Sequence, residues 1–227
     1  MAMTSNAIPQ FNFKGRRSPL TLTITILVVL SGVLLSLSGF YADWLWFKSV
    51  AFTSVWTTVL TTKVFLFVIA GLLTSSIILL NIIIAYKRRP LYVPLSIEAD
   101  NLERYRAQIE PIKRWVVLAL AVGLFYFAGT SGSVLWKSWL LFKNSTSFGV
   151  KDPQFNMDIS FFAFKLPFYQ TMIAWAISTF VLSIIAAAVV HYLYGGIRLQ
   201  VREDRTTVAA RVQLSVLLGG VVLMKAV

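Results

Sequence analysis

Four long runs without a charged side chain constrain this sequence more than any other feature. They cover residues 20–42, 64–86 and 115–136, and a stretch from Leu166 whose most apolar part is 168–194. Each run reaches the roughly 20 residues that a helix needs to cross a hydrocarbon core of about 30 Å. An isolated strand would leave its backbone amides unpaired in hydrocarbon, so all four runs are predicted to be helices. The predicted fold is therefore all-α: a polytopic transmembrane helical bundle with short interfacial helices in its loops.

The last stretch, from about residue 212, predicts the beginning of a fifth helix. The residues after Arg211 stay uncharged only as far as Lys225, which is too short a distance to cross a bilayer. We expect a truncated span here, belonging to a longer protein. On this interpretation residues 1–19 form an N-terminal tail and residues 20–227 form one membrane domain.

The composition excludes several other classes of protein. Apolar residues make up 57% of the chain, yet its formal net charge is +12, a combination that soluble domains rarely show. The basic residues lie between apolar runs and not along one soluble surface, so nucleic acid is not a predicted partner. The chain has no cysteine, which excludes a disulfide framework, cysteine-ligated metals and thiol catalysis.

The distribution of lysine and arginine predicts the orientation in the membrane. Fourteen of these residues lie in segments 1–19, 87–114 and 195–211, whereas six lie in segments 43–63 and 137–165. Cytoplasmic flanks of membrane helices are enriched in lysine and arginine. The N-terminus is therefore expected on the cytoplasmic side, and segments 43–63 and 137–165 on the outer side.

The aromatic segment "GFYADWLWFKSVAF", residues 39–52, is the first candidate site. Aromatic rings concentrate at the headgroup level of a bilayer, so the segment is interpreted as the place where the first helix leaves the membrane. The apolar side chains continue to about Ser54 at helical spacing, which favours a further helix along the membrane surface. A docking surface for an outer domain is the functional alternative, and its candidate residues are Tyr41, Asp43, Trp44, Trp46 and Lys48.

Two carboxylates in the outer segment "DPQFNMD" form a second, weaker candidate polar site. Asp152 and Asp158 are the best available cation ligands in the chain. However, Asp152 directly precedes Pro153, and this order is typical of the cap and first position of a short helix. We favour the capping role and predict no metal site.

The remaining polar residues of the spans are interpreted mainly as structural. His191, the only histidine, is expected at the headgroup level near the inner end of the fourth helix, with proton coupling as the alternative. The hydroxyls of residues 74–76 are expected to bond to the preceding turn or to a neighbouring helix, with substrate contact as the alternative. Gly129 and Gly132 are expected in a fraying helix end, or else in an unwound segment that lines a cavity.

No charged side chain lies inside the four spans, and no motif for catalysis, cofactor binding or metal binding is present. Ionisable groups within membrane helices usually mark transport pathways or reactive sites. The sequence therefore predicts a non-enzymatic protein without catalytic residues or a cofactor.

Four segments of the chain resemble uncharacterised protein family 0182, a group of large bacterial integral membrane proteins. They are "GFYADWLWFKSVAFTSVWTTVLTTKV", "RRPLYVP", "DPQFNMDISFFAFKLPFY" and "QLSVLLGGVVLMKAV", and the similarity runs from about residue 20 to the end. The resemblance implies a cell-membrane protein with further helices and a large domain outside the cytoplasm. It identifies no catalytic or binding residues.

Together these features predict the N-terminal membrane-anchoring module of a larger protein, with a structural or scaffold role. Its expected partners are the lipid bilayer and the C-terminal helices and outer domain of the same protein. An envelope protein and a second copy of the chain are the other partners that the sequence allows. The alternative is a part of the wall of a transporter or channel. Buried acidic residues or arginines in the later helices would favour that alternative.

Overall fold

The computed structural model describes residues 19–90, 97–198 and 205–226. Within these ranges the regular secondary structure is helical, and no β-strand is formed. The helices are α1 (Pro19–Ser49), α2 (Thr53–Lys87), α3 (Ile97–Ile109), α4 (Lys113–Ser133), α5 (Trp136–Lys143), α6 (Leu166–Leu193) and α7 (Val208–Ala226). A 3₁₀ turn, Glu110–Ile112, precedes α4, and a π-helical turn, Phe161–Lys165, precedes α6. The predicted all-α fold is confirmed. The predicted N-terminal tail lies almost wholly outside the described residues.

Within the described ranges, five helical segments are long and apolar enough to cross a membrane, which indicates a membrane-embedded protein. They are Leu22–Ser49, Thr53–Lys87, Leu102–Ser133, Phe161–Leu193 and Val208–Ala226. The last of them is the predicted fifth helix; it begins before the predicted start at about residue 212, and whether the span is truncated stays a prediction. It begins at Val208 and includes both Arg211 and Lys225, so it reaches 19 residues. A charged side chain near a helix end can extend toward the headgroups, so it does not limit the length of the span.

The connection between α1 and α2 also differs from the prediction. α1 continues to Ser49 and α2 begins at Thr53, so no separate surface helix forms between them. The three-residue turn contains Ala51 in the left-handed region, with φ of 61°. The backbone N–H of Phe52 donates to the carbonyl of Phe47 over 2.9 Å, which closes the end of α1.

The chain forms two compact units, the first ending at Thr57 and the second beginning at Thr58. Most of the first unit that the structure describes is α1. Among the described side chains of α1, all except Trp44 and Phe47 are exposed, including Leu35 at 75%. An apolar helix with this much free surface is suited to contact with lipid or with other apolar helices.

In the second unit, α2 and α4 approach closely at three glycines. A Cβ atom at Gly71 would lie 2.8 Å from the ring of Phe125, and one at Gly129 would lie 2.8 Å from the ring of Phe67. A Cβ atom at Gly132 would lie only 2.4 Å from the Cβ of its neighbour on α2. Gly129 and Gly132 are buried within a helix that continues to Ser133. Both the fraying and the unwound-segment predictions are therefore wrong, because these glycines serve close helix packing.

The helices α6 and α7 pack antiparallel against each other, and both contact the C-terminal half of α2. The ring of Phe180 on α6 contacts Gly220 on α7, whereas the last turn of α6 contacts the beginning of α7. On the other side of α6, the indole of Trp175 donates to the hydroxyl of Thr74 over 3.1 Å. The buried centre of this packing is formed by Ala85, Ala187 and Leu217, together with the partly buried Phe180, Ile184, Val190 and Leu214.

Candidate functional site

Three polar side chains form a buried hydrogen-bonded network between α2, α6 and α7. The amide of Gln213 lies at its centre and donates to the carbonyl of Asn81 at 2.9 Å and to the Asn81 Oδ1 atom at 3.3 Å. Its Oε1 atom lies 3.0 Å from Nε2 of His191. Because an amide oxygen can only accept, we assign the ring proton to Nε2. Each long helix of this network thus contributes one polar group to a shared contact.

The position of His191 corrects the prediction made from the sequence. The side chain is 1% exposed and lies inside the packing of three helices, not at the headgroup level. Its Nδ1 atom has no hydrogen-bond partner within the described ranges. A Cβ atom at Gly196 would lie 2.8 Å from Nδ1, so the glycine allows the backbone to cover the imidazole closely.

The sequence analysis missed the two amides of this network, although the sequence contained a signal for them. Asn81 and Gln213 each interrupt an otherwise apolar stretch, and isolated amides in membrane helices commonly bond to a neighbouring helix. The network contains one titratable group and two amides. It therefore acts as a hydrogen-bonded link between helices, and one imidazole nitrogen takes no part in it among the described residues.

A second polar group lies where α2 and α6 end and α4 begins. The rings of Tyr86 and Tyr194 meet edge to face, with centroids 5.1 Å apart. The guanidinium of Arg89 lies 4.2 Å from the centroid of Tyr86 and 5.4 Å from that of Tyr194. We call the whole set the tyrosine–cation cluster; its members are Tyr86, Arg89, Arg106, Glu110, Lys113 and Tyr194.

Two further cations complete the cluster. The guanidinium of Arg106 lies 5.6 Å from the Tyr194 ring, and Nζ of Lys113 lies 5.6 Å from the Tyr86 ring. Glu110 forms an ion pair with Lys113 and accepts a hydrogen bond from the Tyr86 hydroxyl at 3.3 Å. Burial raises the pKa of Tyr194, so its phenol stays neutral at physiological pH. The cluster therefore has three cations and one carboxylate.

The aromatic residues predicted as a docking surface lie on the last turns of α1. The rings of Tyr41 and Trp44 stack with centroids 5.8 Å apart, and Nζ of Lys48 lies 4.9 Å from the Trp44 ring. Trp46 contacts Phe47 edge to face at 4.9 Å, which places it beside and not within this stack. The structure thus brings three of the five candidate residues together, while Asp43 is exposed. Their docking role stays a prediction.

The two carboxylates predicted as a weak polar site each stabilise their own loop. Oδ1 of Asp152 accepts hydrogen bonds from the backbone N–H of Gln154 at 2.9 Å and of Phe155 at 2.8 Å. Asp152 thus caps backbone N–H groups, but residues 153–155 form a turn and not the short helix that the sequence predicted. Among the described residues, which include Asp152, no three histidine, cysteine, aspartate or glutamate side chains are grouped so that they could hold a metal ion.

Asp158 closes the same loop from its other side. Its carboxylate accepts hydrogen bonds from the hydroxyl of Ser147 and from the backbone N–H groups of Gly149, at 3.0 Å, and Ser160, at 2.8 Å. These bonds, with that of Ser147 the strongest, hold the pKa of Asp158 well below its usual range. Its oxygens are therefore engaged in shaping the loop.

The hydroxyls in the middle of α2 also serve packing, as the sequence predicted. Ser75 donates to the carbonyl of Gly71 over 2.7 Å, within its own helix. Thr74 accepts the indole N–H of Trp175 from α6. Both side chains are buried, so the helix pair satisfies these groups internally.

Comparisons with known proteins place the chain among bacterial relatives. A UPF0182 protein of Streptomyces coelicolor is 44% identical over 208 residues, which cover 92% of this chain and 21% of the relative. A UPF0182 protein of a Nocardioides species is 43% identical over 214 residues, covering 93% and 21%. The chain thus spans about a fifth of the length of the curated relatives it matches. No solved structure matches it significantly. The family model described as "Uncharacterised protein family (UPF0182)" matches residues 20–227, and the chain therefore belongs to this family, as its resemblance indicated.

Proposed function

We propose that this chain is the N-terminal membrane-anchoring module of a larger bacterial cell-membrane protein, with a non-enzymatic structural or scaffold role. The observation that carries the proposal is the use of buried polar groups as links between helices. Trp175 bonds to Thr74, and Gln213 joins Asn81 to His191. Polar groups paired in this way hold helices together and are not available to line a path for a substrate.

The length of the relatives supports a role within a longer protein. Relatives that share 42–45% identity with this chain are matched over only 18–22% of their length. A module of this kind has two partners, the lipid bilayer and the remaining helices and outer domain of the same protein. The exposed apolar surface of α1 supports both contacts, since Val28 and Leu35 are 66% and 75% exposed.

The orientation proposed for the module places the N-terminus in the cytoplasm. The support is the excess of lysine and arginine in segments 1–19, 87–114 and 195–211 over segments 43–63 and 137–165. In this orientation the turn between α1 and α2 and the loop that holds Asp158 lie outside the cytoplasm. Both are then in reach of an outer domain.

A split version of the Streptomyces coelicolor relative tests the scaffold role. The segment that aligns with this chain and the remainder of the relative are expressed as two separate polypeptides, with an affinity tag on the first. We expect the remainder to copurify with the tagged module in mild detergent. An unrelated protein with five membrane helices carries the same tag as the matched control. If the remainder binds both proteins equally, or binds neither, the scaffold role is refuted.

One observation favours a second function, a part of the wall of a transporter. His191 is a protonatable group buried within the bundle, and its Nδ1 atom lacks a partner within the described ranges. Buried ionisable groups of this kind occur in proton-coupled transport. Liposomes that contain the full-length relative and a pH-sensitive dye distinguish the two functions. If the relative conducts protons, and if this flux is lost when the residue aligned with His191 is replaced by leucine, transport is supported over anchoring.

A further inference from the structure

The tyrosine–cation cluster carries more positive charge than its own carboxylate neutralises. Glu110 is the one carboxylate that contacts the cluster within the described ranges, and its ion pair is with Lys113. No ion pair of Arg89 or Arg106 occurs in the same part of the chain. The two guanidinium groups contact the tyrosine rings, whose π-faces attract cations but carry no net charge. Among the described side chains, one carboxylate therefore faces three cations, and the cluster keeps a net positive charge.

Arg106 is held in place while part of its hydrogen-bonding capacity is unused. Its Nε donates to the carbonyl of Leu193 at the end of α6, and its guanidinium lies beside the ring of Tyr194. These two contacts fix the plane of the group. Its Nη2 atom is buried and has no hydrogen-bond partner among the described residues. A buried charged donor without an acceptor is unfavourable, so the geometry is suited to an anion that supplies the missing oxygen.

The cluster lies at the level where a lipid headgroup would be found. Tyr86 precedes the last residue of α2 by one position, Tyr194 follows the last residue of α6, and Lys113 begins α4. All three helices belong to apolar segments long enough to cross a membrane. Basic pockets between membrane helices at this depth bind anionic headgroups, and a guanidinium matches the geometry of a phosphate with two parallel hydrogen bonds.

We propose that the tyrosine–cation cluster is a binding site for a phosphate group, supplied by the headgroup of an anionic phospholipid. Arg89 and Arg106 hold the phosphate oxygens, while Lys113 stays paired with Glu110 at the rim. The two tyrosine rings orient the guanidinium groups and separate them from the apolar core. The site does not depend on the proposed anchoring role or on the orientation of the chain, since it requires only a leaflet that contains the lipid.

Native mass spectrometry of the full chain in detergent measures this binding directly. The protein is titrated with phosphatidylglycerol and, separately, with phosphatidylcholine of the same acyl chains. The test variant is Arg89→Gln with Arg106→Gln. The matched control is Arg88→Gln with Arg114→Gln, which removes the same charge from exposed arginines next to the cluster in sequence. Circular dichroism of each variant without lipid checks that the helices are intact.

We expect the test variant to bind phosphatidylglycerol about 30-fold more weakly, since each arginine near a membrane surface contributes about 1 kcal/mol and tenfold equals about 1.4 kcal/mol. The control variant should bind phosphatidylglycerol as the parent chain does. All three proteins should bind phosphatidylcholine with the same affinity. Arg106→Lys keeps the charge but not the planar fork, and it should give an intermediate loss. This single change also serves if the double variant does not fold.

Two results would overturn the proposal. Equal weakening in the test and control variants would mean that the lipid responds only to net charge. Unchanged binding in the test variant and in Arg106→Lys would mean that the cluster is a structural contact alone. A titration with glycerol 3-phosphate separates the sources of the phosphate. Tight binding of this soluble ester, lost in the test variant, would assign the site to a soluble phosphate ligand and refute the lipid.

Discussion

Gly132 offers a direct test of how closely α2 and α4 pack. A Cβ atom at this position would lie 2.4 Å from the Cβ of Ala70 and 3.0 Å from the carbonyl oxygen of Leu66. Carbon atoms pack best at about 3.5–4.0 Å, so Gly132→Ala forces the two helices apart by roughly 1.1–1.6 Å at this contact. Gly123 lies on the same helix, where a Cβ atom would meet nothing within 4 Å. Gly123→Ala is therefore the matched control.

The magnitude follows from two opposing effects. Replacing glycine by alanine within a helix gains up to about 1 kcal/mol, and this gain applies at both positions. Overpacking of a filled contact costs about 1–3 kcal/mol, and this cost applies only at Gly132. We therefore expect Gly132→Ala to be about 1–3 kcal/mol less stable than Gly123→Ala. For a chain of this size each kcal/mol corresponds to about 2–4 °C in the unfolding midpoint.

Thermal unfolding in detergent micelles, followed by circular dichroism, measures this difference. A second variant that combines Gly132→Ala with Ala70→Gly removes the Cβ–Cβ contact and should recover part of the loss. Equal midpoints for Gly132→Ala and Gly123→Ala would contradict the close approach of the two helices. If Gly132→Ala lowers the unfolding midpoint and the added Ala70→Gly recovers none of that decrease, the Cβ–Cβ contact is not the cause of the destabilisation.

Three further predictions follow from the polar contacts. Gln213→Leu removes the hydrogen bonds to Asn81 on α2 and the partner of His191 Nε2 on α6, so it should lower the free energy of unfolding by about 1–2 kcal/mol. Gln154→Leu, at an exposed position, should leave the free energy of unfolding unchanged. Asp158 has a folded-state pKa below its ordinary value of 3.8, so its contribution to the loop is fully present above that pH and is lost as the pH falls further. The protection of the loop amides from hydrogen exchange, relative to their intrinsic exchange rates at each pH, should therefore be unchanged from neutral pH down to that value and fall only below it, and Asp158→Asn should lower this protection at neutral pH. Because the chain has no cysteine, single replacements report orientation: a membrane-impermeant thiol reagent added outside cells should label Thr146→Cys and not Ala107→Cys, and the opposite pattern would refute a cytoplasmic N-terminus.

The sequence predicts the long helices of this protein well, because a bilayer requires both a minimum length and a lack of charge. It predicts their ends less well, since charge does not by itself end a helix. α1 passes Asp43 and Lys48 without interruption, and α7 includes Arg211. The turn at Ala51 contains neither glycine nor proline, so no ordinary turn signal marks it.

The candidate sites depend on contacts that the sequence order hides. Asn81 and Gln213 are 132 positions apart, and Arg106 and Leu193 are 87 apart. A pattern within one helix shows that an amide or arginine is unusual there but does not identify its partner. His191 illustrates the consequence: its position near a helix end suggested exposure, while packing by α7 buries it. Gly132 is a second example, because its role in close helix packing depends on its neighbour in α2 and cannot be seen within α4 alone.

The length of α2 has a consequence for the end of the membrane region at which this helix begins. Its 35 residues extend about 52 Å along the helix axis, against a hydrocarbon core of about 30 Å. Tilting cannot absorb this mismatch, because even at about 40°, the upper end of observed tilts, the helix still rises about 40 Å. At least about 10 Å of helix must therefore project beyond the hydrocarbon. Lys63 is the first charged residue of α2, so the projecting part is the beginning of the helix, including Thr53. The turn between α1 and α2 therefore lies beyond the hydrocarbon, at the tip of this helical extension.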